Sequence, residues 1–519
     1  MESLVEKLAA RPQRSILLLS LILLLAGNWI LPLTDRDEAR FAEASREMLQ
    51  RGDYVVPWFN GHWRFDKPIL IYWCQSASYR VLGVNGFAAR LPSVLFTTAT
   101  ALLIVRWGRK AAGTRTAFMA AAMFLTGLHV AIIGRVATAD MAMVFFTTLA
   151  FWSGWELTRP VNNLRKVWWL VFYVALALGF LAKGPVAWLP WGGVVLGRIL
   201  RPGSFRLPVG ETALGICLTG ALTAWWGIPA LQQTGGEYFR VGMGVHVFQR
   251  STAVNDGHGL KGWAGYILTA PLYFLTFLVS FLPWTIRRPE GELPEIRALR
   301  QHGRGGAAAA WVLERVSFVL TIPIRIWRWW PTRKSDDLGW YLLGQALIVF
   351  GAFSLVRTKL PHYTMPAFPC IALWLALQLR GEAGAAAWFQ KRLATMVVLV
   401  LILMLGGGAV VRHEFLTERL WVALKPYTQA ETRIGFYGFN ESSLVWKFRG
   451  VVTNTVTLGE EKNAKNFLTN APPFILVLPT KDLPALGDIS GLRIPVHGID
   501  MVKIRNWDLT AIVRQQPGQ

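Results

Sequence analysis

The feature that most constrains this chain is a series of apolar runs near 20 residues long. They lie at roughly 15–33, 88–105, 117–133, 140–157, 167–182, 184–199, 210–231, 263–286, 338–356, 362–380 and 393–412. A hydrocarbon core of about 30 Å is crossed by a helix of about 20 residues. The runs therefore predict an all-α polytopic membrane protein with about 11–13 transmembrane helices. Soluble chains carry about a quarter charged residues; here the share is 16%, which agrees. The sequence lacks the short alternating segments of an outer-membrane barrel.

Charge sets the orientation. The net charge is +23, but the basic residues sit mostly in short loops between apolar runs. That is the positive-inside pattern, and it argues for the lipid bilayer rather than nucleic acid as partner. Arg11 and Arg14, the 106–115, 159–166 and 198–206 loops and the 287–334 segment then share the cytoplasmic side. The first loop (34–87), the corner before Asp140, the 232–262 loop and the corner at Lys359–His362 face the other side. The N-terminal run reads as a retained first helix rather than a cleaved signal. Within 287–334, the aromatic and basic stretch Trp311–Trp330 reads as an interfacial helix. Pro68–Gly83 either adds a span or lies along the surface.

From about 413 the pattern changes to short β-branched segments, IGFYGF, VVTNTVTL, FILVLP, LRIPVHGI and DLTAIVR, separated by turns. These predict two units: 1–412, a membrane domain, and 413–519, a small α/β domain outside the membrane. Cys74, Cys217 and Cys370 are far apart in or beside apolar runs and read as inert.

Chemistry gathers in Leu33–Trp73, LTDRDEARFAEASREMLQRGDYVVPWFNGHWRFDKPILIYW. Thr34 or Asp35 caps a helix that runs to Arg51 and stops at Gly52. Asp35, Asp37 and Glu38 complement its positive end, yet three acids exceed what capping needs, so a catalytic carboxylate is the other reading. In Asp66-Lys67-Pro68 the lysine opens the next apolar stretch; it either snorkels to the interface or binds a lipid phosphate. Asp140 stands at the start of an apolar helix, where an acid usually faces a polar space. Lys183-Gly184-Pro185 and the Lys359–Tyr363 corner break apolar runs on the same side, and Arg250 and His258 lie in the 232–262 loop. Any one of these cations reads as an ordinary charge at a loop end. Together they suit one anionic ligand. No cofactor is required. A divalent metal would have Asp66, His258 and His362 as its candidates, but HExxH-type spacing is missing.

DEARFAEASREMLQRGDYVVPWFNGHWRFDKPILIYW, TADMAM, LAKGPVAWLP and KLPHYTMPAFP, in that order, resemble motifs of bacterial lipid-linked sugar transferases related to the aminoarabinose transferase of lipid A. These belong to the protein O-mannosyltransferase-like group with the GT-C fold. The resemblance implies a GT-C membrane domain, a periplasmic C-terminal α/β domain and a polyprenyl-phosphate sugar donor. It implies catalytic roles for Asp37, with Glu38 beside it, and for Asp140. It makes Lys67 and Arg250 the lipid-phosphate ligands, and Arg40, Lys183, Lys359 and Tyr363 further cavity residues. One departure is RFDKP, which places Arg64 and Asp66 where the lipid A branch has an aromatic residue and Glu. The acceptor stays open among lipid A, another glycolipid, a polysaccharide and a protein. The competing class is a transporter or flippase of a lipid-linked anion, although the charges gather on one face and no repeated halves are visible.

Overall fold

The computed structural model describes residues 4–33, 36–159, 163–200, 208–249, 272–285, 294–303, 305–310, 337–357, 359–380, 384–439, 441–460, 463–487, 489–500 and 505–515. Within them every apolar run contains a helix. The membrane part begins with α1 (Leu4–Ala10) and α2 (Pro12–Leu25), followed by the first-loop helix α3 (Arg36–Arg51). Next come α4 (Leu70–Leu82), α5 (Gly86–Ala112), α6 (Thr114–Thr126) and α7 (Leu128–Ile133). They lead to α8 (Asp140–Thr158), α9 (Arg165–Lys183), α10 (Leu189–Leu200) and α11 (Val209–Gln233). Further helices cover Leu272–Ser280, Asp337–Leu355, Phe368–Gln378 and Ala385–Leu401. Among the described residues five helices are singly long and apolar enough to cross a bilayer, and a sixth span arises if the bent pair α1–α2 counts as one. The chain is a multi-pass membrane protein. The 311–330 stretch lies outside the described residues.

The first apolar run is not one straight helix. α2 ends at Leu25, and Gly27, at φ 70°, turns the chain. The carbonyls left open there are taken by buried arginines. Arg135 donates to those of Leu23 and Ala26, and Arg90 to those of Asn28, Leu31 and Pro32. A buried helix end needs such donors, because its last carbonyls have no partner within the helix. α4 is amphipathic and short, and Tyr72 and Tyr79 on it are buried, Tyr79 donating to the Ala42 carbonyl of α3.

Two small β elements complete the fold. β1 (Trp58–Phe59) and β2 (His62–Trp63) form a hairpin whose turn uses Asn60 and Gly61, both at positive φ. The C-terminal sheet contains β3 (Arg433–Tyr437), β4 (Thr457–Gly459), β5 (Phe474–Pro479), β6 (Leu492–Asp500) and β7 (Arg505–Arg514), in the order β4-β3-β5-β7-β6. β3 pairs parallel with β4 and β5, while β7 runs antiparallel to β5 and β6. Every residue of the central strand β5 is buried, as a near-continuous apolar run requires when both sheet faces are covered. The helices Leu416–Leu424 and Ser442–Arg449 supply one of those covers.

Candidate functional site

Two helix ends build the centre of the site. α9 stops where Gly184 adopts φ 81° and Pro185 follows, so Lys183 is its last residue. α8 starts at Asp140, and the two helices pack along their length. An acid at a helix N-terminus and a cation at a helix C-terminus are each favoured by the peptide dipoles. Antiparallel packing sets them side by side, and Lys183 Nζ forms an ion pair with Asp140 Oδ1. Thr138 Oγ1 donates to the other carboxylate oxygen at 2.9 Å.

The third wall is the Lys359–Tyr363 corner. Leu360 is extended, as a residue before proline tends to be, and a 3-10 turn over Pro361–Ala367 follows. It brings His362 Nε2 to 3.9 Å from Asp140 Oδ1 and sets the Tyr363 ring 5.5 Å from Lys183 Nζ. Lys359 turns the other way. Its Nζ donates to the carbonyls of Phe353 and Ser354 at 3.1 and 2.5 Å and lies 5.2 Å from the Tyr273 ring, so it caps the helix Asp337–Leu355.

A mostly apolar cavity of about 240 Å³ opens beside this cluster. Lys67 and Asp66 of the first loop, Lys183 and Tyr363 line it together with Phe65, Trp226 and Tyr238. Tyr238 Oη donates to the Lys67 carbonyl at 2.5 Å, which ties the start of α4 to the segment after α11. Asp66 is ion-paired to the buried Arg64 at 2.8 Å, and Arg64 also donates to Tyr72 Oη at 3.1 Å. The RFDKP departure is thus self-consistent, because the arginine neutralises the acid. Among the described residues no three His, Cys, Asp or Glu side chains gather to hold a metal.

The helix α3 divides the first-loop acids. Asp37 is largely exposed, 4.0 Å from Arg40 Nη1, and its charge is felt at Lys183, His362 and Arg64. Glu38 is buried and does not line the cavity. Its two oxygens accept from Arg90 at 2.6 and 2.8 Å, and Oε1 also accepts from the Ala137 backbone at 3.0 Å. This carboxylate joins α3, α5 and the loop before α8, so its geometry is that of an anchor rather than of a reacting group. One turn on, burial pushes the Glu43 carboxyl up to about 7, against the pull of Arg46, which donates to it at 2.6 and 2.8 Å. Arg40 Nε donates to Ser442 Oγ at 2.8 Å. Asp35, Arg250 and His258 lie outside the described residues.

Asp140, Lys183, His362 and Tyr363 therefore form one cluster, with Lys67 on the wall of the adjoining cavity and the field of Asp37 reaching in. Sequence reasoning overlooked Arg90, Arg135 and Tyr238. The signal was present for the first two, since an arginine within or beside an apolar run needs an internal partner.

Fold and site define a class: a multi-pass membrane protein of GT-C architecture with a mostly apolar pocket, bearing Lys67 and Lys183, at one end of its helices. The structure of ArnT from Cupriavidus metallidurans bound to undecaprenyl phosphate matches with a TM-score of 0.72 at 16% identity, over 97% of this chain and 98% of that one. The archaeal oligosaccharyltransferase AglB from Archaeoglobus fulgidus matches with a TM-score of 0.52 at 13% identity, over 92% and 70%. The family described as dolichyl-phosphate-mannose-protein mannosyltransferase matches residues 66–226. An undecaprenyl phosphate-alpha-4-amino-4-deoxy-L-arabinose arabinosyl transferase of Edwardsiella ictaluri is 29% identical over 76% of this chain and 64% of its own length. A protein of the same name from Aeromonas salmonicida is 31% identical over 66% and 56%. The chain thus spans somewhat less than two thirds of the length of these two relatives. It has the GT-C fold of these solved structures and is similar over most of its length to the aminoarabinose transferases.

Proposed function

We propose that this protein is a glycosyltransferase that moves a sugar from a polyprenyl-phosphate donor to an envelope acceptor, most closely a lipid A-type glycolipid. The reading places it in the bacterial inner membrane, with residues 1–412 as the catalytic membrane domain. Its active site and the 413–519 domain face the periplasm. The observation that carries it is the cavity. Two lysines from motifs far apart in sequence, Lys67 and Lys183, line one mostly apolar space of about 240 Å³. Such a space fits a ligand that is part hydrocarbon and part anion.

In this reading the lipid tail lies between helices and the sugar points outward. The bond from the anomeric carbon to the phosphate oxygen breaks, and its electron pair leaves with the polyprenyl phosphate. Lys67 and Lys183 stabilise the departing anion, together with Arg250, which the family motif implies. By analogy, removing one preorganised donor aimed at a developing anion costs roughly 2.7–4 kcal/mol in other enzymes. The acceptor oxygen attacks from the opposite face, with inversion. Asp37 takes the acceptor's proton, or orients the sugar if the acceptor is already an anion. Asp140 holds Lys183 in place.

The experiment is transfer by the purified full-length protein in detergent from undecaprenyl-phosphate aminoarabinose to lipid A, followed by mass spectrometry. Transfer by the wild type and its loss in Asp37→Asn, with normal folding, is the expected result. A wild type that moves no sugar in detergent would point instead to transport of a lipid-linked anion.

A further inference from the structure

The helix that carries Asp37 is held from outside the membrane domain. Arg40 Nε donates to Ser442 Oγ at 2.8 Å, while Nη1 of the same guanidinium stands 4.0 Å from Asp37 Oδ1. Further along α3, Arg449 Nε lies 3.9 Å from both Glu43 Oε1 and Glu47 Oε1. At the far edge of this interface Asn60 and Val456 exchange two hydrogen bonds, 2.7 and 3.0 Å long. The start of the helix Ser442–Arg449 is itself pinned, because Thr417 and Ser443 each donate to the buried Glu441 at 3.0 Å.

The guanidinium of Arg40 is therefore shared between an acid of the first loop and a hydroxyl of the C-terminal unit. It is a rigid planar fork, so an N–H committed to Ser442 restricts how the other edge turns. At 4.0 Å the Asp37 pair is longer than a hydrogen-bonded ion pair. Removing the hydroxyl takes away that anchor, so the charge beside Asp37 is less well placed.

We infer that the C-terminal unit is a positioning element of the transfer site, in which Ser442 fixes the Arg40 guanidinium beside Asp37. The inference rests on the functional reading of Asp37 given above. It makes Ser442 a positioning residue.

The test uses full-length protein in detergent with undecaprenyl-phosphate aminoarabinose and lipid A. Ser442→Ala is expected to lower kcat about tenfold, the effect of losing one charge-assisted hydrogen bond. The donor KM should stay within about twofold of wild type. Ser442→Thr, which keeps the hydroxyl, should restore the rate. Asn60→Ala loosens the same interface at its other edge and should leave kcat unchanged. Wild-type kcat in Ser442→Ala, or an equal loss in Asn60→Ala, overturns the inference. If the wild type transfers nothing, the functional reading falls by itself, and hydrogen exchange over α3 decides the positioning. Faster exchange near Asp37 in Ser442→Ala than in Asn60→Ala supports it, and equal exchange in the two overturns it.

Discussion

Lys183, the last residue of α9, is ion-paired to Asp140, the first residue of α8, with His362 3.9 Å from the same carboxylate oxygen. The pair is largely shielded from solvent, with side chains 13% and 10% exposed. Removing one partner of such a pair leaves an uncompensated charge, which costs about 3–5 kcal/mol. Lys183→Met and Asp140→Asn are each expected to lower thermal stability in detergent. The double variant should be more stable than either single one, as a double-mutant cycle would reveal. Strict additivity would show that the two side chains do not depend on each other.

Glu38 and Asp37 are adjacent in sequence but should fail differently. Glu38→Gln weakens the buried pair with Arg90, which also holds three carbonyls of the 28–32 turn. A loss of about 3–5 kcal/mol follows from breaking a buried pair. Size-exclusion chromatography should show less folded protein, while activity per folded molecule is largely kept. A well-folded but inactive Glu38→Gln would return this residue to the chemistry.

Lys67 lines the cavity from the first loop. Lys67→Ala should raise the donor KM and lower kcat/KM by at least about a hundredfold, in line with loss of one fixed charge at a developing anion. Lys67→Arg should keep part of the activity, because charge is retained while the point-like ammonium is replaced by a fork. Binding of undecaprenyl phosphate alone separates the donor term from the chemical step.

The C-terminal unit carries a pH dependence of its own. Burial, with Asp500 beside it, pushes the Glu441 carboxyl up from an ordinary 4.5 to about 7. The folded state therefore favours the protonated form. Its contribution to stability is complete below about 4.5 and is lost as pH rises through about 7. Thermal unfolding should drop between about pH 5 and about pH 8, and Glu441→Gln should flatten that slope. An unchanged slope in the variant would mean that another group is responsible.

The membrane class was legible because the period and length of apolar runs answer directly to bilayer thickness. The C-terminal strands were legible too, since FILVLP and DLTAIVR lie between turn residues and became β5 and much of β7. The cations at Lys67 and Lys183 were visible beside Pro68 and Gly184, residues that break helices. The first run was harder. Its composition reads as a single helix to Leu33, but the turn at Gly27 depends on Arg90 and Arg135, which reach it from 62 and 109–112 residues away.

By itself the sequence determined where most of the helices lie and which charges stand near their ends, because those are local matters of periodicity, caps and helix breakers. Only the tertiary structure decided which of those ends meet. Asp37 and Glu38 share one helical turn, yet one is largely exposed and the other is clamped by Arg90, because a helix rotates successive residues by about 100°. Ser442 reaches Arg40 across 402 residues of chain, a meeting that no local pattern encodes.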